Sequence, residues 1–265
     1  MIKNRLTAAT ADRFELYEES VQDTEADIQF VSRVFHKERK RAALMLREDF
    51  CGTAQMCADW VRTHAERTAV GLDLHAPTQK WGMRKHIKPL GDAAARVQLL
   101  CRNVLVGCQG SDVTVAFNFS WCALKTRAIL LQYCQGVCND LNPDGAFFLD
   151  IHGGTESFEE VQESRKYKNF TYVWDQAPYD TINGFTKRAI HFHFPDGSVL
   201  HRAFTYDWRL WTLPELQDVL LEAGFKRVDV YWEGDDGQGR GNGVFRRRKQ
   251  ADNEAAWVAY VVAWK

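Results

Sequence analysis

The residues best suited to bind a ligand form a short turn, residues 48–54, with the sequence Glu-Asp-Phe-Cys-Gly-Thr-Ala. Small residues at a strand-to-helix turn let backbone N–H groups approach a ligand closely. Roughly twenty residues beyond Gly52, an apolar segment ends in Asp73, the spacing at which a doubly wound fold binds ribose hydroxyls with a carboxylate. Each feature alone also fits an ordinary turn or helix cap. Together they predict a site for a nucleoside cofactor.

Short apolar segments alternate with helix-compatible segments through the first half of the chain. The predicted strands are residues 42–47, 69–73, 97–101, 112–118 and 145–150. The predicted helices between them are residues 54–66, 78–87 and 124–141. Uniformly apolar strands are typical of a sheet covered on both faces, and the alternation predicts parallel strands with right-handed crossovers. The expected fold class is therefore α/β, with a doubly wound, Rossmann-like sheet.

Segments outside this alternation show other patterns. Apolar residues at helical spacing predict two short amphipathic helices within residues 10–36, and Thr212 with Pro214 predicts a helix that runs to Gly224. An Asp-Gly turn at residues 195–197 predicts an inserted hairpin. Strand-like composition marks residues 167–175, 185–194, 198–207, 226–232 and 256–264. The glycine-rich residues 234–243 are expected to form a mobile connection.

Composition limits the functional classes. The 265 residues are 45% hydrophobic and 26% charged, with a formal charge of -1, so no net field attracts nucleic acid or membranes. We expect one domain over residues 1–265, with a helical lid at 1–40 and an inserted substrate-side β segment at 155–210. Seven scattered cysteines fit reduced thiols. No apolar leader and no run of roughly 20 apolar residues is present, which predicts a soluble cytoplasmic protein.

The turn at residues 48–54 resembles the first turn of the class I S-adenosylmethionine-dependent methyltransferases. That family has the pattern acidic-x-Gly-x-Gly-x-Gly. Glu48 takes the acidic position, Gly52 the central glycine and Ala54 the last glycine, whereas Phe50 replaces the first glycine. The Glu-Asp-Phe-Cys-Gly-Thr form also resembles a subgroup of the family. The resemblance extends over residues 42–264.

This resemblance implies a seven-stranded, mostly parallel sheet that ends in an antiparallel pair of strands. Residues 226–232 and 256–264 fit that pair, whereas a nicotinamide enzyme would be expected to continue its parallel pattern. The resemblance also implies S-adenosyl-L-methionine as the cofactor, with Asp73 at the ribose, Leu74 at the adenine and Asn103 near the adenine amino group. The implied cofactor residues are Glu48, Phe50, Cys51, Gly52, Thr53, Asp73, Leu74, Asn103, Val104, Asn118, Phe119 and Ser120.

The expected reaction is methyl transfer to a small molecule by in-line displacement, which depends mainly on positioning the nucleophile. No single base is required if that nucleophile is an amine or a thiolate, and aromatic faces favour a cationic partner. Arg209 could hold a carboxylate or phosphate, or it could stack on a neighbouring tryptophan for structural reasons. The candidate acceptor residues are Tyr17, Trp121, Trp208 and Arg209, with Phe119 as a further aromatic candidate.

Several alternatives remain open at this stage. The protein could modify RNA or protein, or it could be a catalytically silent subunit that binds S-adenosylmethionine. His191, His193 and His201 could approach one another across the hairpin, but a solvated or substrate-facing strand is favoured over a metal site. The basic residues 246–249 are more typical of a solvated turn than of an RNA site. No metal and no nucleic-acid partner are expected.

Overall fold

The computed structural model describes residues 6–237 and 241–265, so residues 1–5 of the predicted lid and 238–240 of the predicted connection lie outside the described residues. A mostly parallel central sheet carries helices on both faces. Its parallel strands are β1 (Met45–Asp49), β2 (Thr68–Asp73), β3 (Val97–Cys101), β4 (Ser111–Ala116) and β5 (Leu141–Gly153), in the spatial order β3-β2-β1-β4-β5. The α/β, Rossmann-like prediction is confirmed.

Six α-helices are described. They are α1 (Arg13–Val21), α2 (Thr24–Arg39), α3 (Gln55–Arg62), α4 (Ala76–Gly82), α5 (Arg127–Asp140) and α6 (Leu213–Glu222). α4 continues as a π-helical turn at Met83–Ile87 and a 3-10 segment at Lys88–Arg96. Thr212 and Glu215 form a reciprocal capping box at the start of α6, as its sequence favours. No helix within the described ranges is long and apolar enough to cross a membrane.

The central sheet buries apolar residues on both faces. Phe147 and Phe148 are adjacent in β5 and point to opposite faces, because side chains alternate along a strand. Phe147 lies in a cluster with residues of α5 and α6, including Leu130 and Leu216. Phe148 lies in the cluster that contains Trp60 of α3. Apolar clusters on both faces of the sheet therefore hold its strands in place, and with them the edge formed by their carboxyl ends.

The antiparallel end of the sheet differs from the prediction in one strand. β12 (Trp257–Trp264) lies between β5 and β10 (Arg227–Asp235) and is antiparallel to both, as the two predicted strands require. β11 (Gly241–Arg248) pairs with the outer side of β10, so the sheet has eight strands rather than seven. The predicted glycine-rich connection and basic turn contribute to this strand. Its exposed basic side chains suit an edge strand. Because they leave no alternation of apolar and polar residues, the sequence does not predict this strand.

A second sheet lies between β5 and α6 in sequence. It contains β6 (Val161–Lys166), β7 (Thr171–Gln176), β8 (Phe185–His193) and β9 (Val199–Arg209), all antiparallel and in that spatial order. The predicted Asp-Gly turn joins β8 and β9, with Gly197 at φ +86°. β6 was not predicted because most of its residues are polar and exposed. Leu16 of α1 packs in the same apolar cluster as Phe192 of this sheet.

Candidate active site

The turn after β1 has an unusual backbone. Phe50, Gly52 and Ala54 all have positive φ values, of 57°, 51° and 57°. These are the same three positions that carry glycine in the resembled pattern. A side chain in the left-handed region costs roughly 1–2 kcal/mol per residue, which explains why glycine suits each position. The turn is therefore left-handed at all three positions, although Phe50 and Ala54 carry side chains.

Asp73 at the end of β2 is bound to this turn. Its Oδ2 accepts a hydrogen bond from the backbone N–H of Gly52 at 2.9 Å, and its Oδ1 accepts one from the N–H of His75 at 2.7 Å. A carboxylate oxygen can accept more than one hydrogen bond. The carboxylate is thus held in one orientation and keeps capacity for hydroxyl donors.

The end of α4 and helix α1 both contact the turn. A Cβ atom on Gly82 would lie 1.8 Å from the carbonyl oxygen of Thr53, so only glycine fits there without backbone movement. The Thr53 hydroxyl donates to Glu18 of α1 at 2.6 Å, and the same Glu18 oxygen lies 2.7 Å from Nε2 of His86. The turn is therefore packed between α1 and the segment that follows β2.

A cavity of about 230 Å³ lies over the turn, and we call it the first cavity. Phe14 and Tyr17 of α1 line it together with Phe204 and Tyr206 of β9. The remaining lining residues come mainly from α2, the first turn and the ends of the parallel strands. They include Gln22, Thr24, Asp27, Glu48, Phe50, Cys51, Gly52, Thr53, Asp73, His75, Asn118 and Ser120.

A second cavity of about 310 Å³ adjoins the first. The two share Tyr17, Asp27, Asn118 and Tyr206 as lining residues. The other lining residues of the second cavity are mostly aromatic or acidic, and the second sheet supplies several of them. They are Val21, Asp23, Phe119, Asp150, Tyr172, Trp174, Ile190, Trp208 and Tyr260. Because the two cavities share a wall, ligands in them would meet at these shared residues.

Buried carboxyl groups dominate the electrostatics of both cavities. Burial raises the pKa of Glu48 in the first cavity to about 8, although the backbone N–H of Cys57 donates to its Oε2 at 3.1 Å. Burial also raises the pKa of Asp27 to about 6, and the hydroxyl of Tyr260 donates to this carboxyl. Neither a lysine nor an arginine lines either cavity in the described part of the chain.

Asp150 organises a second left-handed turn. Asn118 and Phe119 both have φ values of 56°, and their backbone N–H groups donate to the two oxygens of Asp150 at 2.7 and 2.9 Å. Burial nevertheless raises the pKa of Asp150 to about 8, and the charge of Asp27 adds to this shift. The carboxyl group thus fixes the segment between the two cavities.

The structure brings most of the predicted residues together, but not all. Trp208 and Phe119 line the second cavity, and Tyr17 lines both. Trp121 lines neither cavity, because its side chain is fully buried and its Nε1 donates to the backbone oxygen of Asp150 at 2.7 Å. Arg209 also lies elsewhere, 3.8 Å from the Trp211 ring centroid and 3.1 Å from Glu215, beside a separate cavity of about 760 Å³.

Three predicted cofactor residues line neither the first nor the second cavity. Leu74 follows Asp73 and is 67% exposed, and Asn103 is exposed with its Oδ1 accepting the N–H of Leu105 at 2.9 Å. Val104 is buried in the core. The backbone N–H of Arg102 donates to the carbonyl of Asp73 at 3.0 Å, which keeps this loop next to the end of β2.

A buried ion network supports that loop and was not predicted. Arg47 in β1 is only 1% exposed and donates to Asp49 at 2.8 Å and to Asp140 at 2.8 Å. It also donates to the backbone oxygen of Val104 at 3.3 Å, and Tyr133 donates to Asp49 at 2.7 Å. The only sequence signal is a charged residue inside an apolar strand, which must be paired when buried.

The histidines of the second sheet form contacts among themselves. Nδ1 of His191 lies 3.3 Å from Nδ1 of His201, and its Nε2 lies 3.2 Å from Asp175, whereas His193 is exposed. Within residues 6–237 and 241–265, no group of three or more acidic, cysteine or histidine side chains is arranged to hold a metal ion.

Solved structures resemble this fold over nearly the whole chain. No protein-family model and no curated protein matches the sequence. A S-adenosylmethionine-dependent methyltransferase from Clostridium acetobutylicum has a TM-score of 0.69 at 14% identity, with 94% of this chain and 96% of that chain covered. The chain therefore shares its fold with this solved methyltransferase.

Two further solved structures have a similar fold. A sugar N-methyltransferase from Streptoalloteichus sp ATCC 53650 has a TM-score of 0.61 at 17% identity, with coverage of 98% of this chain and 95% of that chain. A SAM-bound amino pentose methyltransferase from Micromonospora echinaspora has a TM-score of 0.64 at 14% identity, with coverage of 94% and 97%. At these identities the likeness concerns the fold.

Proposed function

We propose that the protein transfers a methyl group from S-adenosyl-L-methionine to a small-molecule acceptor. One observation carries this proposal: the left-handed turn at residues 50–54 is hydrogen-bonded to Asp73 on the floor of the first cavity, and a second cavity adjoins it. The first cavity suits the cofactor and the second suits the acceptor. The likeness in fold to methyltransferases that act on sugars supports this interpretation.

The residues of the first cavity fit the proposed cofactor chemically. Asp73 is oriented to accept hydrogen bonds from ribose hydroxyls, and Gly52 leaves room for close approach because its nearest obstacle to a Cβ is Thr78 at 4.0 Å. The exposed Leu74 and Asn103 lie beside Asp73 and would cover the adenine. The acidic lining of this cavity favours the positive charges of the amino group and the sulfonium.

When bound, the cofactor supplies a methyl group on a positively charged sulfur, which is already a good leaving group. The protein's task is then to hold the acceptor in line with that methyl group and to exclude water. Asn118, Phe119 and Ser120 are proposed to form the wall at which the two ligands meet, because they follow β4 and Asp150 fixes their backbone. Tyr17 and Tyr206 are proposed to close the junction from the other side.

The proposed division of the chain follows from these walls. Residues 1–40 would act as a lid, of which α1 and α2 are described, and residues 155–210 would form the acceptor side of one methyltransferase domain. An RNA acceptor is less well supported, because no lysine or arginine of the described residues lines the cavities. Seven free cysteines favour a reducing compartment such as the cytoplasm.

Calorimetry with the purified full-length protein tests this proposal. S-adenosylhomocysteine and S-adenosylmethionine should each bind saturably at one site, and NADH should not. Saturable binding of NADH without binding of either sulfur nucleoside would contradict the proposed function. A protein that binds S-adenosylmethionine but never converts it, with any small-molecule acceptor offered, would instead support the silent-subunit alternative.

A further inference from the structure

The second cavity has an aromatic wall on the side of the second sheet. The rings of Tyr206 and Trp208 have centroids 4.5 Å apart, and the Trp174 ring lies 5.8 Å from Tyr206 and 6.1 Å from Trp208. Tyr172 and Tyr260 line the same cavity. Aromatic faces carry negative charge density, so a group of them favours an organic cation over an anion.

The second cavity is lined by carboxyl groups and by no basic side chain of the described residues. Asp23, Asp27 and Asp150 line it, and no lysine, arginine or histidine of the described residues does so. An acceptor that carried a carboxylate or phosphate into this space would meet carboxyl groups without a cation to pair with. Rings and carboxyl groups together therefore select for a positively charged ligand of modest size.

Asp27 is the carboxyl group best placed at the meeting point of the cavities. It lines both of them, whereas Asp23 and Asp150 line only the second. Tyr260 donates to its Oδ1, and its Oδ2 has no hydrogen-bond partner among the described residues. Both oxygens of Asp150, in contrast, accept backbone hydrogen bonds, so Asp150 serves as a positioning residue.

We infer that, if the proposed methyl transfer is right, the acceptor is an amine that enters the second cavity as an ammonium ion and gives a proton to Asp27. The N–H bond breaks and the proton passes to the Asp27 carboxylate, which leaves a lone pair on nitrogen. That nitrogen then forms a bond to the methyl carbon as the carbon–sulfur bond breaks, and the electron pair of that bond stays on sulfur. The product is a methylated ammonium ion, and Asp27 returns its proton to solvent.

Burial supports this role for Asp27. It raises the pKa of the carboxyl to about 6, so the group is a stronger proton acceptor than an ordinary aspartate and is still mostly ionised at neutral pH. Tyr260 keeps the carboxylate oriented, and burial with the nearby charge of Asp27 raises the pKa of the Tyr260 hydroxyl itself, so this hydroxyl remains a donor.

Three aromatic probes of similar size but different charge test the inference on protein saturated with S-adenosylhomocysteine. They are benzylamine, benzyl alcohol and benzoate, measured by calorimetry or by ligand-observed NMR at pH 7.5. The protonated benzylamine should bind at least tenfold more tightly than benzyl alcohol, and benzoate should not bind detectably. Benzyl alcohol or benzoate that binds as tightly as benzylamine would overturn the inference.

Variants identify the group responsible. Asp27→Asn should weaken benzylamine binding about tenfold and leave benzyl alcohol binding unchanged. The exposed Asp218→Asn is the matched control and should change neither. If Asp27→Asn fails to fold, Tyr260→Phe retains the carboxylate but removes its donor and should weaken benzylamine binding about threefold. If neither variant selectively loses affinity for benzylamine, Asp27 is not part of the binding site.

The readouts separate this inference from the proposed function. If S-adenosylhomocysteine does not bind the native protein, the proposed function fails. If it binds and the probes show no preference for the amine, only the inference fails. With a converted amine acceptor, Asp27→Asn should lower kcat at saturating acceptor as well as weaken binding, because a proton acceptor acts in turnover. An unchanged kcat would contradict the proton transfer.

Discussion

The two cavities share a wall but are built from different kinds of structure. The first cavity rests on backbone turns at the ends of adjacent parallel strands, where the backbone N–H of Gly52 donates to the side-chain carboxylate of Asp73. The second cavity is enclosed by side chains from α1, α2, β5, β7, β8, β9 and β12, which are far apart in the sequence. A local motif therefore defines one site, and long-range packing defines the other.

The largest expected effect is on the free energy of unfolding, through the buried carboxyl group of Glu48 in the first cavity. The pKa of Glu48 rises from 4.5 to about 8 on folding, so the folded protein holds a proton that the unfolded chain loses between these pH values. The free energy of unfolding should therefore fall as pH rises from 4.5 to 8. Asp150 acts in the same direction from 3.8 to about 8.

Glu48→Gln keeps an acceptor for the N–H of Cys57 but removes the titration. At pH 8 it should raise the free energy of unfolding by on the order of 4 kcal/mol, and at pH 4 the difference should be small. Urea denaturation at the two pH values measures this. Parallel stability curves for the variant and the native protein would show that Glu48 titrates normally.

Asp73→Ala should damage the first cavity and spare the second. Loss of a carboxylate that accepts charge-assisted hydrogen bonds costs about 3 kcal/mol, so S-adenosylhomocysteine should bind roughly a hundredfold more weakly. Calorimetry measures the change, and Asp218→Ala is the matched surface control. Benzylamine binding measured without the nucleoside should stay the same. An equal loss at both sites would show that the cavities respond as one unit.

Trp174→Leu makes the reciprocal change in the second cavity. Leucine keeps an apolar side chain but removes the aromatic face, so benzylamine should bind about tenfold more weakly, or about 1.4 kcal/mol. The affinity for S-adenosylhomocysteine should not change. Trp232→Leu is the control, because Trp232 packs on Trp257 and lines neither of these two cavities. Equal losses in both tryptophan variants would mean that the effect is one of stability.

Arg209→Ala should have the smallest effect. Arg209 stacks on Trp211 and pairs with Glu215 near the protein surface, which contributes less than about 1 kcal/mol to stability. Acceptor binding and S-adenosylhomocysteine binding should both change less than twofold. A large rise in the KM for an amine acceptor would instead indicate that Arg209 contributes to the acceptor site. It would also weaken the distinction between a site defined by a local motif and one defined by long-range packing.

The sequence predicts the parallel part of the fold well because short apolar segments alternate there with helix-compatible segments. Each of β1 to β5 contains or adjoins a short, largely apolar segment, and α6 begins with a capping sequence. The sequence does not predict β6 and β11, because they are edge strands whose polar side chains face solvent. Exposure on both faces of a strand removes the alternation on which the prediction depends.

The same limit applies to the candidate site. Gly52 and Asp73 can be found from spacing along the chain, and the structure places both on the first cavity. Asp27 and Tyr260 give no such signal, since Asp27 lies in the acidic first turn of a helix and Tyr260 lies in an apolar strand. Trp121 has a side-chain type that suits an acceptor site, but its direction depends on packing against β5.

The contact between Gly82 and the carbonyl of Thr53 has an evolutionary consequence. Any side chain at position 82 would push the helix away from the first turn, so saturation mutagenesis at this position should recover glycine almost alone. Relatives that retain the same turn should retain this glycine even where Phe50 or Ala54 has changed. Position 82 would then serve as a diagnostic signature for the group, outside the segment in which such signatures are usually sought.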